Sequence, residues 1–420
     1  MHICFICREY PPSLRGGGIA SYIKDISHGL HDAGHRVTVI AASDDTNLSS
    51  DEEDDGVRVI RLSGGDFFIP EVEKGNKMYK FRALTRFYSY RKKIKNAILS
   101  LHDIDVIEVA EYGAENLFLK DIDIPVVIRL HCPSLIDLND RSVKKLSFKN
   151  ALYYWQGLQE VKMLKQSKYI TSCSKHLKEW VVQNFFVSKD VIKVIYNAIQ
   201  INKWNFPLIN KEKSKLFTIL SVGTICETKG SKDLIDACAI IAQRHKDFKF
   251  QLCLVGKTGS YASYLKEKYG QYTWLKIVGV LPREEVMKLY SEANIVCLPS
   301  WWENMPMACI EAMLNGSIVI GSKSGGMSEI IEDGVSGFLV QPKRSVELSD
   351  CLWRVINIPD NEKQFVSKNA KRRICETFSM DVIVEQMVDY YNFVIADFKK
   401  IKNDCIICKS CFFGLSVAFL

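Results

Sequence analysis

Residues 294–322, NIVCLPSWWENMPMACIEAMLNGSIVIGS, decide the fold of this chain. The apolar run NIVCLPS reads as a strand and SIVIGS as a second. Between them a helix opens at Pro306, because proline suits a helix's first turn. Strand, loop, helix and strand in about 30 residues form a parallel crossover unit. The same stretch carries two carboxylates eight positions apart. On one continuous helix Glu303 and Glu311 would diverge by about 80°. With the helix starting at Pro306, Glu303 lies in the loop at its positive end and Glu311 two turns inside it. One carboxylate then faces the mouth of a pocket and the other its wall.

The grammar repeats outward in both directions. HICFIC, HRVTVIAA, VRVIRL, DVIEVA, PVVIRLH, KYITSC and VIKVIY read as strands, with helices over 18–34 and near 79–101, 151–166 and 174–184. A polar stretch near 200–215 interrupts them. The pattern then restarts with LFTILSVG, and helices over 231–244, 260–269, 283–292 and 306–315 alternate with further strands. Near-continuous apolar strands separated by helices predict parallel sheets covered on both faces. The expected fold class is α/β: two facing Rossmann-like doubly wound domains with a cleft between them. The boundaries are 1–203 and 204–378, then a closing helix over 379–400 that packs back on the first domain, and a tail over 401–420. The acidic run DDTNLSSDEEDD (44–55) reads as a solvated loop.

Bulk composition narrows the class. Apolar residues at 47% and charged residues at 25% are those of a globular protein. The net charge of +7 is too mild to demand nucleic acid. No run reaches the roughly 20 apolar residues of a membrane span, and the start MHICFIC is a strand rather than a leader. The 14 cysteines accordingly read as reduced thiols in a cytoplasmic protein. Cys4 and Cys7 lie on opposite faces of a strand and make no redox pair. Cys405, Cys408 and Cys411 in the apolar tail fall short of a closed zinc site.

Ligands of such folds bind in the loops beyond the strands' carboxyl ends. Gly16, Gly17 and Gly18 precede a helix and let backbone N–H groups approach a ligand, yet the G-x-G-x-x-G spacing of a dehydrogenase is absent. His131 ends a strand. Gly223 ends another, and Lys229-Gly230 precede a helix whose N-terminus suits phosphate. Gly325 and Gly326 stand between a strand and a short helix. Each loop alone is equally a plain turn or a solvated side chain.

Together they are specific. PPSLRGGGIASY, RLHCPS, SCSKHL, VIYNAI, SVG with KG, PSWWENMPMACIEAM and SKSGGMSEIIEDGVSGFLV resemble the retaining, nucleotide-sugar-dependent glycosyltransferases of family 4, which have the GT-B fold. The resemblance runs to about residue 400. It implies that Gly17 and Gly18 approach the donor diphosphate or the acceptor, and that His131 faces the transferring sugar. Lys229 would bind the leaving diphosphate, and Glu303 the sugar, with N–H groups of Asn304, Met305 and Met307 nearby. Glu311 would hydrogen-bond the ribose, and Gly325 and Gly326 would add a backbone cradle. Thr224 stands where such enzymes have an arginine, leaving Arg15, Arg129 or another cation to compensate.

The reaction so implied is transfer of a sugar from a nucleotide diphosphate sugar to a hydroxyl with retention, with no cofactor and no metal. Asp103-Ile104-Asp105 and Asp121-Ile122-Asp123 match a metal-binding Asp-x-Asp by letter but stand before strands. A GT-B partner subunit without activity, a sugar-nucleotide epimerase and a hydrolase using Glu303 and Glu311 are the alternatives. Residues 74–95 carry nine Lys or Arg and no acid, with interleaved aromatics. They read as a solvated helix face or as a peripheral contact with the inner membrane face. The latter would fit a lipid-linked or saccharide acceptor in polysaccharide or glycolipid assembly.

Overall fold

The computed structural model describes residues 1–14, 17–45, 47–65, 79–201 and 216–417, with side chains covered from residue 81 in the fourth segment and to residue 404 in the last. Arg15, Gly16, residues 74–78, the 202–215 connection and the side chains of Cys405, Cys408 and Cys411 therefore lie outside it.

In the first half the elements run β1 (His2–Ile6), α1 (Gly18–Asp32), β2 (Arg36–Ala42), β3 (Ser50–Asp54), β4 (Val57–Leu62), α2 (Tyr79–Ser100), β5 (Val106–Ala110), β6 (Val126–Leu130), α3 (Ala151–Gln166), β7 (Ile170–Ser172), α4 (Lys175–Phe185) and β8 (Ile192–Val194). They form one sheet of order β3-β4-β2-β1-β5-β6-β7-β8. All neighbours are parallel except β3 and β4. Strand β3 corrects the expectation of a loop over 44–55. Its acids oppose arginines on β4, with Asp51 receiving Arg58 at 2.7 Å and Glu52 receiving Arg61 at 2.5 Å. Cross-strand pairs of opposite charge make such a polar segment a workable edge strand.

The second half continues with β9 (Phe217–Val222), α5 (Ser231–Arg244), β10 (Phe250–Val255), α6 (Ser260–Tyr269), β11 (Leu275–Gly279), α7 (Arg283–Glu292), β12 (Ile295–Leu298), α8 (Met307–Leu314), β13 (Val319–Ser322), α9 (Met327–Ile330), β14 (Phe338–Val340), α10 (Ser345–Asn357) and α11 (Asp360–Phe378). Its sheet is wholly parallel, in the order β11-β10-β9-β12-β13-β14. In both sheets the strand order reverses beside the first strand of the half. The C-terminal ends of the strands flanking that point are where a doubly wound sheet opens a crevice.

Helix α12 (Met380–Val417) runs back along the first half. Met380, Ile383, Met387, Tyr391 and Val394 join the core beneath β1 and α1. Tyr391 donates to the buried Glu108 at 2.8 Å and Tyr169 to Asp397 at 2.8 Å. Where the chain crosses back, Ile199 and Ser379 pair as a parallel bridge. The helix continues past the 379–400 expected for it, because KKIKNDCIICKS lacks any proline or glycine to stop it.

Candidate functional site

The two sets of strand ends enclose one cavity of about 340 Å³. From the first half it is lined by Gly18, His131, Cys132 and Asn197, among others, and from the second by Gly223, Thr224, Lys229 and the Glu303–Ala308 stretch. The local sequence explains the second wall. A single 3-10 turn, Glu227–Lys229, leads into α5 through Gly230, whose φ is +69°. A Cβ there would lie 2.2 Å from the Pro299 carbonyl oxygen, so only glycine lets the α5 N-terminus approach the end of β12. Pro306 caps α8 without a donor of its own, and the first N–H groups of α8 open on the cavity. Two helix N-termini thus converge on one space, each favourable to an anion.

Lys229 is the one cationic side chain among the described residues lining this cavity. Its ammonium is ion-paired with Glu303, and Ser300 Oγ donates to the same Glu303 oxygen at 2.9 Å. Burial works against the lysine's charge, but the adjacent carboxylate outweighs it and holds the ammonium above its ordinary range. The two groups expected to grip opposite parts of a ligand hold each other.

His131 is buried, with its ring edge-on to Tyr22 at 5.0 Å and its Nε2 without a hydrogen-bond partner. Burial, and then the charge of Arg129, hold the imidazole well below its ordinary pKa. It is a neutral ring at the cavity wall. Arg129 does not supply the missing cation. It is fully buried, donates to the Ile195 carbonyl at 3.0 Å and to Asn197 Oδ1 at 3.0 Å, and lies over Tyr22 at 4.3 Å. Thr224 is exposed to the cavity, and Asn304 donates across it to the His131 carbonyl at 2.6 Å.

Met305 and Met307 line the cavity as well. Gly17 caps α1 next to the lining residue Gly18. Glu311 stands apart from the cavity lining, within reach of Tyr290 at 3.4 Å and Arg283 at 3.8 Å; burial raises its pKa. The glycine pair acts one layer back. A Cβ on Gly325 would meet the Glu303 carbonyl at 2.1 Å and one on Gly326 the Asn304 carbonyl at 1.8 Å. Gly326 N–H donates to Glu303 O at 2.8 Å. The pair thereby supports the Glu303–Asn304 backbone at the cavity wall.

Sequence reasoning missed three participants. Glu111 accepts from the His131 and Cys132 N–H groups, and Glu160 accepts from Ser134. Glu329 accepts from the Lys175 and His176 N–H groups at 2.9 and 3.0 Å, capping α4 of the other half. The signal for Glu111 was an acid directly after a buried strand, in VIEVAEYG. Neither Asp-x-Asp reaches the cavity: Asp105 accepts His2 N–H at 2.7 Å, and Asp123 pairs with Lys402.

Two facing α/β domains with an anion-friendly cavity between them define the GT-B class of transferases. Residues 16–203 match the model described as Glycosyltransferase Family 4 and residues 202–373 the one described as Glycosyl transferases group 1. The chain belongs to these glycosyltransferases. It is 28% identical to an uncharacterized glycosyltransferase of Methanocaldococcus jannaschii, over 93% of this chain and 98% of that one. Sucrose-phosphate synthase of Thermosynechococcus elongatus superposes with a TM-score of 0.76 at 22% identity, covering 94% of this chain and 99% of its own. The Anabaena protein HepE, solved with UDP-glucose, superposes with a TM-score of 0.67 at 20% identity over 93% and 98%.

Proposed function

We propose that this chain transfers a glycosyl unit from a nucleotide diphosphate sugar to an acceptor hydroxyl, with retention and without a resident metal. The observation that carries this reading is the convergence of Lys229 and two helix N-termini on one cavity facing His131. In the reaction the bond from the anomeric carbon to the diphosphate breaks, and charge grows on the leaving oxygen. Groups already aimed at that charge lower the barrier without reorganising. Lys229 and the α5 and α8 N–H groups are so placed. Gly18 closes the cavity from the other half.

Retention is supported by what an inverting enzyme would need, a free base opposite the leaving group. The one carboxylate lining the cavity among the described residues, Glu303, is paired with Lys229, and His131 is a weak base where it sits. Metal independence is supported by a lysine and helix N-termini occupying the place of a cation. Glu303 would contact the sugar; HepE's complex with UDP-glucose supports a uridine donor as the first to try.

Thr224 favours a second reading, a GT-B partner subunit without activity, because the cavity then has one cation for a diphosphate. Thermal unfolding of the purified chain against UDP, GDP, ADP and their sugars, with and without magnesium, separates the two. Ligand at 100 times its Kd adds about 2.7 kcal/mol of stability. A shift with one nucleotide, indifferent to magnesium and lost in Lys229→Ala, supports the transferase. No shift with any of them supports the partner subunit.

The acceptor would be a saccharide or lipid-linked saccharide in cell-surface polymer or glycolipid assembly, met at the membrane's inner face. Support comes from α2, which exposes Phe81, Tyr88 and Lys92. Arg91, by contrast, is buried over Phe87, and Lys93 donates to Ser63. Lys92→Glu with Lys95→Glu should weaken binding to anionic vesicles; unchanged binding rejects the membrane contact.

A further inference from the structure

We propose that Glu111 and Glu160 form a carboxylate bracket that positions His131 against the donor's sugar. The inference rests on the cavity being the donor site.

The segment His131-Cys132-Pro133-Ser134 leaves the end of β6 and forms part of the cavity wall. Proline has no N–H, so the segment offers three backbone donors. All three go to buried carboxylates. Glu111, one residue beyond β5, takes His131 N–H at 2.8 Å on one oxygen and Cys132 N–H at 2.5 Å on the other. Glu160, on α3, takes Ser134 N–H at 2.9 Å and Ser134 Oγ–H at 2.6 Å. It also holds Gly113 N–H at 2.7 Å, tying the loop after β5 to the loop after β6.

Carbonyl groups satisfy strand-end amides at far lower cost than carboxylates, which lose hydration when buried. Among the described residues no cationic side chain hydrogen-bonds to either acid. Burial and then the charge of Glu160 raise the Glu111 pKa, and the hydrogen bonds from the His131 and Cys132 N–H groups pull it back down. Such an arrangement is expensive for the fold and sits directly behind the neutral imidazole.

What the bracket supplies is rigidity. One carboxylate holding two successive N–H groups fixes the peptide plane between His131 and Cys132, and with it the direction of the ring and of the His131 carbonyl. That carbonyl receives Asn304 from the opposite wall. Glu111 and Glu160 are positioning residues, acting through His131 without touching the donor.

The test is a comparison of UDP and UDP-glucose affinities by calorimetry, with GDP-mannose and ADP-glucose and their diphosphates run in parallel. It uses the full chain and the His131→Ala, Glu111→Gln, Glu111→Asp and Glu160→Gln variants, each checked for folding. Gln supplies one acceptor where the carboxylate supplied two, and Asp falls short by a methylene. The expected result is diphosphate affinity within about twofold of wild type, with sugar-nucleotide affinity lowered roughly tenfold in both His131→Ala and Glu111→Gln. A merely structural role would move both ligands together. If Glu111→Gln does not fold, Glu111→Asp and Glu160→Gln make the same comparison. Loss of the sugar increment in His131→Ala but in none of the folded glutamate variants overturns the bracket alone. A wild type that binds none of the nucleotides removes the donor site and the bracket with it.

Discussion

Lys229 and Glu303 are bound to each other, so a diphosphate must take the lysine from the glutamate. That competition has a measurable signature in a double-mutant cycle. Lys229→Ala removes a charge-assisted hydrogen bond to the diphosphate, about 2 kcal/mol within the usual range. The variant also has no ion pair to break on binding, so it should lose about 1–2 kcal/mol, roughly five- to thirtyfold in Kd.

Glu303→Gln behaves in the opposite sense. It keeps a side chain that can accept from Ser300 and frees the lysine from its pair. Both side chains remain partly accessible, so the pair itself is worth at most about 1 kcal/mol. The variant also removes the repulsion of Glu303 for the phosphates, about 2 kcal/mol for like charges about 8 Å apart at an effective dielectric of 20. Diphosphate affinity should improve about thirtyfold or more. The double variant loses the lysine's bond but also the repulsion and the pair, and should bind within about fivefold of wild type. The coupling energy is then that of the pair, about +1 kcal/mol. Titration calorimetry with the nucleoside diphosphate selected by thermal shift measures all four corners. A Glu303→Gln variant that loses as much affinity as Lys229→Ala, or effects that simply add, would refute the competition.

Thr224→Arg should place a second cation in the cavity and tighten diphosphate binding about tenfold or more, the yield of one charge-assisted hydrogen bond; unchanged affinity in a folded variant would show that Thr224 points away from the phosphates. The contact between Glu329 and His176 should make stability depend on pH. Hydrogen bonds from His176 and the α4 N–H groups overcome burial and lower the Glu329 pKa, so its contribution is complete above the unfolded value of 4.5 and fades as pH falls through the folded one. The Glu329 hydrogen bond raises the His176 pKa, so its contribution is complete below 6.5 and fades as pH rises through the folded value. The Tm advantage of wild type over His176→Gln should shrink as pH rises above 6.5 through the raised folded value, and a constant difference would remove the imidazolium from the contact. Gly326→Ala would press a methyl group against the Asn304 carbonyl and should cost about 2 kcal/mol, or about 4–8 °C in Tm for a domain of this size; calorimetric scanning that finds no loss would contradict the close approach.

The alternation of apolar runs and amphipathic helices made both sheets legible, because burial on two faces leaves parallel strands almost free of polar residues. The helices over 231–244, 260–269 and 283–292 end where the structure ends them. What sequence periodicity could not show was pairing between distant residues. Strand β3 is all acid and serine, and only the arginines opposite it on β4 make it a strand. Arg129 reads as a spare cation from its place two residues before His131, and strand alternation does put both on one face of the sheet, but Arg129 is fully buried there. There it meets Tyr22 and Asn197, and its charge reaches the cavity only by keeping His131 neutral. Gly325 and Gly326 read as a ligand cradle, and the letters alone do not show that they also admit the Glu303 and Asn304 carbonyls. Glu329 lies within the SKSGGMSEIIEDGVSGFLV run, but its partner His176 in the other half does not show in the chain. Glu111 and Glu160 escaped for the converse reason. An acid whose partners are backbone N–H groups needs no complementary residue type, so no motif marks it.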